Sequence, residues 1–265
     1  MGHAPVPRAA PGQGLSAGAR AAKARAARRR RTHGDCAYNR AVSRLDPTEF
    51  ILANLPVAPV PGVPEIRLHK ASPTSGLMRL ARQDKDGFGA PYWAHHWAGG
   101  LALARYVLDN PGVVAGRRVL DLGAGSGLVG IAAAKAGARE VIAAEVDPYA
   151  IVALQLNANL NAAPISILHG DILDGAPPET DLILVGDLFY AADLSERVTA
   201  FLDGCANRGI PALVGDPWRA SLPTSRLTEL ARYQVTEGGS QAMGPSGVFA
   251  FVGRPSGGEP PAPLA

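Results

Sequence analysis

From residue 99 onward, short apolar runs alternate with longer stretches in which apolar residues recur every three or four positions. The runs at 118–122, 140–145, 165–168, 182–185 and 210–214 have the length of buried strands, and the periodic stretches at 101–108, 127–136, 193–202 and about 226–231 are predicted as helices. Asp147-Pro148 starts a further helix that runs to about residue 161, with the acid as cap and the proline in the first turn. Such alternation implies βαβ units, hence a doubly wound α/β fold around a mostly parallel sheet. The last two runs, 233–237 and 247–253, are separated only by a glycine-rich turn, so the pattern predicts a C-terminal hairpin with at least one antiparallel strand.

Upstream the pattern is less regular. Asp46-Pro47-Thr48-Glu49 reads as a capped helix start, with Glu49 able to close a capping box, and predicts a helix to about residue 55. An extended stretch over 56–64, an edge strand over 65–69 and a short helix over 76–82 should follow, making 41–98 an appendage of the main core. Residues 1–40 are Ala, Gly, Pro and Arg, which cannot bury enough apolar surface to offset ordering, and 254–265 are similarly poor; both are expected to be disordered tails.

Charge changes the picture in one respect. The net charge of +3 arises from residues 1–34, which carry eight Lys or Arg and no acid, whereas the other 231 residues carry 18 basic and 23 acidic groups. A nucleic-acid-binding function resting on basicity would therefore act through the tail, with the rest of the chain acidic. An Arg-rich, acid-free N-terminus also resembles a mitochondrial transit peptide, but it holds a single serine, Ser16, and prolines interrupt any helix. Cys36 and Cys205 form neither a disulfide framework nor a zinc pattern, and no apolar run is long enough to span a membrane, so a cytoplasmic location is expected.

The candidate chemistry begins at VLDLGAGSGLVG, residues 119–130, which contains a GxGxxG over Gly125, Gly127 and Gly130. A dinucleotide would set its diphosphate on the helix N-terminus that follows, but the strand ends in an acid, Asp121. S-adenosylmethionine carries a sulfonium and an α-ammonium in place of phosphate. A charge-assisted hydrogen bond from that ammonium to Asp121 would contribute roughly 1.5–3 kcal/mol, whereas a phosphate there would be repelled. Gly123, Gly125 and Gly127 let the backbone turn and approach the ligand, and Gly130 permits close helix–sheet packing. Glu145, at the end of the second strand, is placed to take both ribose hydroxyls; Asp171 can accept from the adenine amino group and Ile172 can cover the ring.

The fourth strand ends in Gly186-Asp187-Leu188-Phe189-Tyr190, which would set one acid and two aromatics beside the sulfonium. Asp187 suits an amine acceptor, because it can orient the amine by accepting its hydrogen bond, while burial between Phe189 and Tyr190 would disfavour the ammonium form. Asp216, in the turn after the fifth core strand, would lie at the rim facing a basic substrate or serve only the turn. His95-His96 lacks neighbouring Cys or acidic ligands and makes a poor metal site; no metal is expected.

VLDLGAGSG, AAEVDP and GDIL at these intervals resemble the class I, seven-stranded S-adenosylmethionine-dependent methyltransferases. PEIRLH (64–69), PYWAHHWAGGLALARYVLD (from residue 91) and GDLFY are similar to family 16 protein-lysine methyltransferases, most of all to those acting on the electron transfer flavoprotein β-subunit. The resemblance covers about residues 45–253. It implies an N-methyltransferase acting on protein lysine, with that subunit as partner and 99–253 as a Rossmann-like methyltransferase core of seven strands. Residues 41–98 would be appendage and cofactor lid, Trp97 would cover the cofactor, and Asp187 would be the key acid. Trp93 and Trp97 are alternatively core aromatics. A ribosomal protein L11-type or small-amine acceptor is the alternative substrate class.

Overall fold

The computed structural model describes residues 46–84, 88–236 and 242–254. The tails expected to be disordered and the turn between the last two strands lie outside these, apart from Gly253 and Arg254 at the C-terminal end.

Five strands, β3 (Arg118–Leu122), β4 (Glu140–Glu145), β5 (Ser166–His169), β6 (Leu182–Gly186) and β7 (Ala212–Asp216), pair in parallel within one seven-stranded sheet of order β5-β4-β3-β6-β7-β9-β8. Successive residues face opposite sides, as pleated geometry requires. On β6, Leu182 and Leu184 enter one core cluster while Ile183 and Val185 enter the other. The first cluster holds helices α3 (Ala98–Asp109) and α4 (Leu128–Lys135); the second holds α6 (Ala192–Ala206). Burial on both faces explains why these strands read as continuous apolar runs.

β9 (Met243–Phe251) lies antiparallel between β7 and the edge strand β8 (Leu227–Thr236), which is the predicted hairpin. The helix predicted at about 226–231 is absent. One 3₁₀ turn, Thr224–Arg226, leads directly into β8, which pairs with β9 from Leu227 to Thr236 with an irregularity between Glu229 and Ala231. Thr-Glu-Leu-Ala-Arg is mostly composed of good helix formers, but ladder pairing with β9 overrides local preference.

In the appendage, α1 (Pro47–Asn54) starts as predicted, the Asp46 carboxylate accepting from Thr48 N and Glu49 N. The predicted edge strand is half of a separate antiparallel pair, β1 (Val57–Val60) with β2 (Val63–His69). The outer edge of β2 is met by α5 (Pro148–Leu160) and the residue that ends it: the N–H groups of His69 and Arg67 donate to Asn157 and Asn161. Asn157, fully buried, also donates to the Ser126 carbonyl, tying this edge to the glycine loop. A short helix, α2 (Met78–Gln83), supplies Leu80 to a third cluster in which Phe50, Ile51, Leu55 and Trp93 pack on Tyr149, Ala150 and Ala153 of α5. Among the described residues no helix is long and apolar enough to cross a membrane.

Candidate active site

The order in which strands are added reverses between the parallel neighbours β3 and β6, and ligands of doubly wound sheets bind beyond the strand ends at that point. There the loops after β3, β4, β5 and β6, together with a strap over residues 89–97, line a cavity of about 650 Å³, within the usual range for small-molecule sites.

The loop after β3 takes left-handed backbone at Gly123, Gly125 and Gly127 (φ 68°, 52° and 83°). At Gly123 a Cβ would also lie 2.6 Å from the end of the Leu188 side chain, which would have to shift. Asp121 lines the cavity at 1% exposure, and its Oδ2 accepts from Gly130 N at 2.8 Å. A Cβ on Gly130 would sit 3.0 Å from that same oxygen, so the close packing expected of this glycine serves the carboxylate itself. Burial pushes Asp121 up to about 7, the Gly130 amide opposing and the charge of Glu145 adding to the rise.

Glu145 accepts from Gly125 N (2.7 Å), Val146 N (2.7 Å) and Asp147 N (3.0 Å), which fastens the glycine loop to the end of β4. Asp171 and Ile172 line the cavity too, though the Asp171 carboxylate accepts from Leu173 N and from Arg197, interactions that hold it below the usual carboxylate range. Trp97 also lines it. Its Nε1 donates to the Tyr92 carbonyl, and its ring belongs to an aromatic series, His95, Trp97, Tyr92, Tyr190, with successive centroids 5.8–6.1 Å apart. Trp93 is largely buried in the third cluster yet reaches the cavity wall.

Asp187 closes β6 in left-handed backbone at φ 60°, uncommon for a side chain other than glycine. Its Oδ1 accepts from Gly99 N (3.0 Å) and Arg219 Nη1 (2.5 Å), and its Oδ2 from Gly100 N (2.5 Å). Burial raises the carboxyl while Arg219 and the two amides pull it back. Tyr190 stands half-exposed at the cavity mouth. Phe189, expected beside it, instead faces away: fully buried, it does not line the cavity, because its ring is taken into the second core cluster with Val198, Phe201 and Leu202 of α6. Asp216 likewise is no rim acid; it is completely buried and bonded to Arg219.

The ribosomal protein L11 methyltransferase family (PrmA) has a model that matches residues 101–187. The electron transfer flavoprotein beta subunit lysine methyltransferase of Rattus norvegicus is 41% identical over 180 residues, spanning 66% of this chain and 70% of the relative. The Homo sapiens protein of the same name is 40% identical over 191 residues, spanning 70% and 72%. The chain belongs to this methyltransferase family. A ribosomal protein L11 methyltransferase of Caldicellulosiruptor bescii is 39% identical over only 98 residues, 37% of this chain and 29% of that protein.

The L11-type model match thus runs from α3 to Asp187 and stops before Arg219. Sequence reasoning for this methyltransferase had no signal for Arg219, which stands 32 positions after Asp187 and reaches it only because β6 and β7 are neighbours. It also missed Gly99 and Gly100, whose amides hold the acid, and His96, which lines the cavity almost fully buried. Among the described residues neither His96 ring nitrogen has a hydrogen-bond partner, and burial, with the charges of Lys70 and His95, pushes the imidazole down to about 4, leaving it neutral near pH 7. The described residues hold no cluster of His, Cys, Asp and Glu that could bind a metal ion.

Proposed function

We propose that the chain transfers a methyl group from S-adenosylmethionine to a lysine side chain of a protein, the electron transfer flavoprotein β-subunit being the substrate. One observation carries the reading. Among the described residues the cavity is lined by five carboxylates, Asp121, Glu145, Asp147, Asp171 and Asp187, against one Lys or Arg, Arg219. A cationic donor and a cationic acceptor complement that wall; a diphosphate would be repelled by it.

The residues present fit the cofactor. Asp121 and Glu145 would hold its ammonium and ribose, the left-handed glycines clear space for it, and Trp97 would cover it. When bound, S-adenosylmethionine supplies a methyl group on sulfonium sulfur, which a neutral amine displaces in line. A free lysine amine, with pKa near 10.4, is neutral in only about one molecule in a thousand at neutral pH. The exposed tyrosines Tyr92 and Tyr190 flank the entrance. A carboxylate offers about four lone-pair sites; among the described residues Oδ1 of Asp187 has two donors and Oδ2 has one, so Oδ2 is the oxygen that would accept an N–H of the amine. That contact aims the nitrogen lone pair at the methyl carbon, and alignment is the main contribution such a transfer needs.

The names of these relatives support the flavoprotein substrate, and the extent of the match favours it over ribosomal protein L11. Incubation with labelled S-adenosylmethionine and each purified protein, followed by peptide mass spectrometry, should place label on lysine of the flavoprotein subunit. Label on ribosomal protein L11 or a free amine, and none on that subunit, would replace the substrate assignment.

A further inference from the structure

We propose that Arg219 is a positioning residue for methyl transfer: its guanidinium, anchored on Asp216, holds Asp187 in the one orientation that leaves Oδ2 open to the substrate amine. The inference rests on the proposed amine acceptor and concerns a residue that never needs to touch it.

The anchoring is double. Asp216 accepts from the Arg219 backbone N–H at 2.7 Å and from Nη1 at 3.2 Å, so one buried carboxylate fixes both ends of the arginine. Nη1 then reaches Asp187 Oδ1 at 2.5 Å. From the opposite side, the N-terminus of α3 is pressed onto β7, a Cβ on Gly99 falling 2.1 Å from the Gly215 carbonyl oxygen, which delivers the Gly99 and Gly100 amides to the same carboxylate. Both protein donors on Oδ1 thus come from parts held by β7, and a fourth contact to the carboxylate, from the substrate, is directed to Oδ2 beside the Gly100 amide. The two non-glycine residues with left-handed backbone nearest this cluster, Asp187 and Trp218, flank the ion pair, Trp218 directly preceding Arg219 and packing edge-on against Phe249. Strained backbone persists where surrounding structure over-determines it, and such places concentrate at functional sites.

Charge gives the arrangement its second consequence. Asp187 and Asp216 are buried and share this guanidinium; α3 brings amides to them and no acidic residue in its first turn. Without the arginine each buried acid would lose this cationic partner, and burial would favour its protonated form. A protonated Asp187 keeps less capacity to accept from the amine.

The test compares wild type, Arg219→Gln and Arg219→Lys. With the flavoprotein β-subunit, Arg219→Gln should lower kcat roughly 100-fold, the cost of a mis-set reacting geometry, while the dissociation constant for S-adenosylhomocysteine by calorimetry stays within about twofold. The acid limb of its pH–kcat profile should move to higher pH, and Arg219→Lys should recover a large part of the rate. An unchanged kcat, or a fall with an unmoved pH profile and no recovery by lysine, overturns the proposal. If wild type is inactive on that subunit but methylates ribosomal protein L11 or a free amine, the same comparison is made there, and only the substrate assignment fails. If all are inactive, thermal stability decides: Asp187 rises further in Arg219→Gln, so the deficit against wild type should grow from pH 5 to pH 8, and removing Arg219 from an Asp187→Asn background should produce a smaller growth, the part due to Asp216. A deficit independent of pH overturns the proposal.

Discussion

Two carboxylates in one cavity have separate tasks because their neighbours differ. Asp121 meets an amide and the negative Glu145, and its carboxyl lies near 7; Asp187 meets two amides and a guanidinium. A cationic ligand beside Asp121 stabilises the ionised form, so its folded-state value must fall when the ligand binds. S-adenosylmethionine affinity should therefore weaken as pH drops from 7 to 5, by up to about tenfold per unit, and the slope should flatten in Asp121→Asn. For the free protein the sign is opposite: a raised acid favours folding at low pH, and that contribution is lost as pH climbs from the unfolded value through about 7. Calorimetric titrations across that range check the first statement and thermal melts the second. Asp187→Ala should leave cofactor affinity nearly unchanged yet reduce kcat by about 10²–10⁴-fold, measured in single-turnover assays. A variant with normal kcat would remove Asp187 from the reaction.

At the level of elements, the close seat of α3 on β7 is what converts a helix N-terminus into part of the site. Gly99 and Gly100 look alike in sequence but differ sharply in space. A Cβ at Gly99 would strike backbone at 2.1 Å, whereas at Gly100 the nearest atom is Asp187 Oδ2 at 3.4 Å. Gly99→Ala should cost about 3 kcal/mol or fail to fold, an overpacking penalty against rigid backbone, while Gly100→Ala should change stability by less than about 1 kcal/mol; urea titration separates them. Neither role is legible from the chain, because the clash involves Gly215, more than a hundred positions away. The first half of β8 was illegible for a related reason, since its strand form depends on pairing with β9 while Thr228 to Arg232 are mostly helix formers; the second half was read as a strand. The parallel strands, by contrast, announce themselves through burial on both faces.

Across the whole molecule, what the sequence made readable was the part of the site carried by short-range spacing: the glycine loop, Asp121, Glu145, and Asp187 at a strand end all line the cavity. Arg219, Asp216 and the inward packing of Phe189 were set by strand order, which no local pattern records. The strap over residues 89–97 is the remaining long-range piece. It is held in place by the third cluster, where α1, α2 and Trp93 pack on α5, and α5 also begins at the end of β4 beside Glu145. Loosening that cluster should therefore reach the cofactor without touching it. Ile51→Ala, at a fully buried position far from any cavity residue in sequence, should cost about 2–5 kcal/mol and raise amide exchange over residues 91–97. It should weaken S-adenosylhomocysteine binding, because part of the binding free energy is then spent on re-ordering the strap. Removal of residues 1–40 should leave kcat and cofactor affinity at the full-length values, since among the described residues those lining the cavity all lie at or beyond Gly89. Loss of methyl transfer on that truncation, with cofactor binding intact, would instead assign the basic segment a part in capturing the protein substrate.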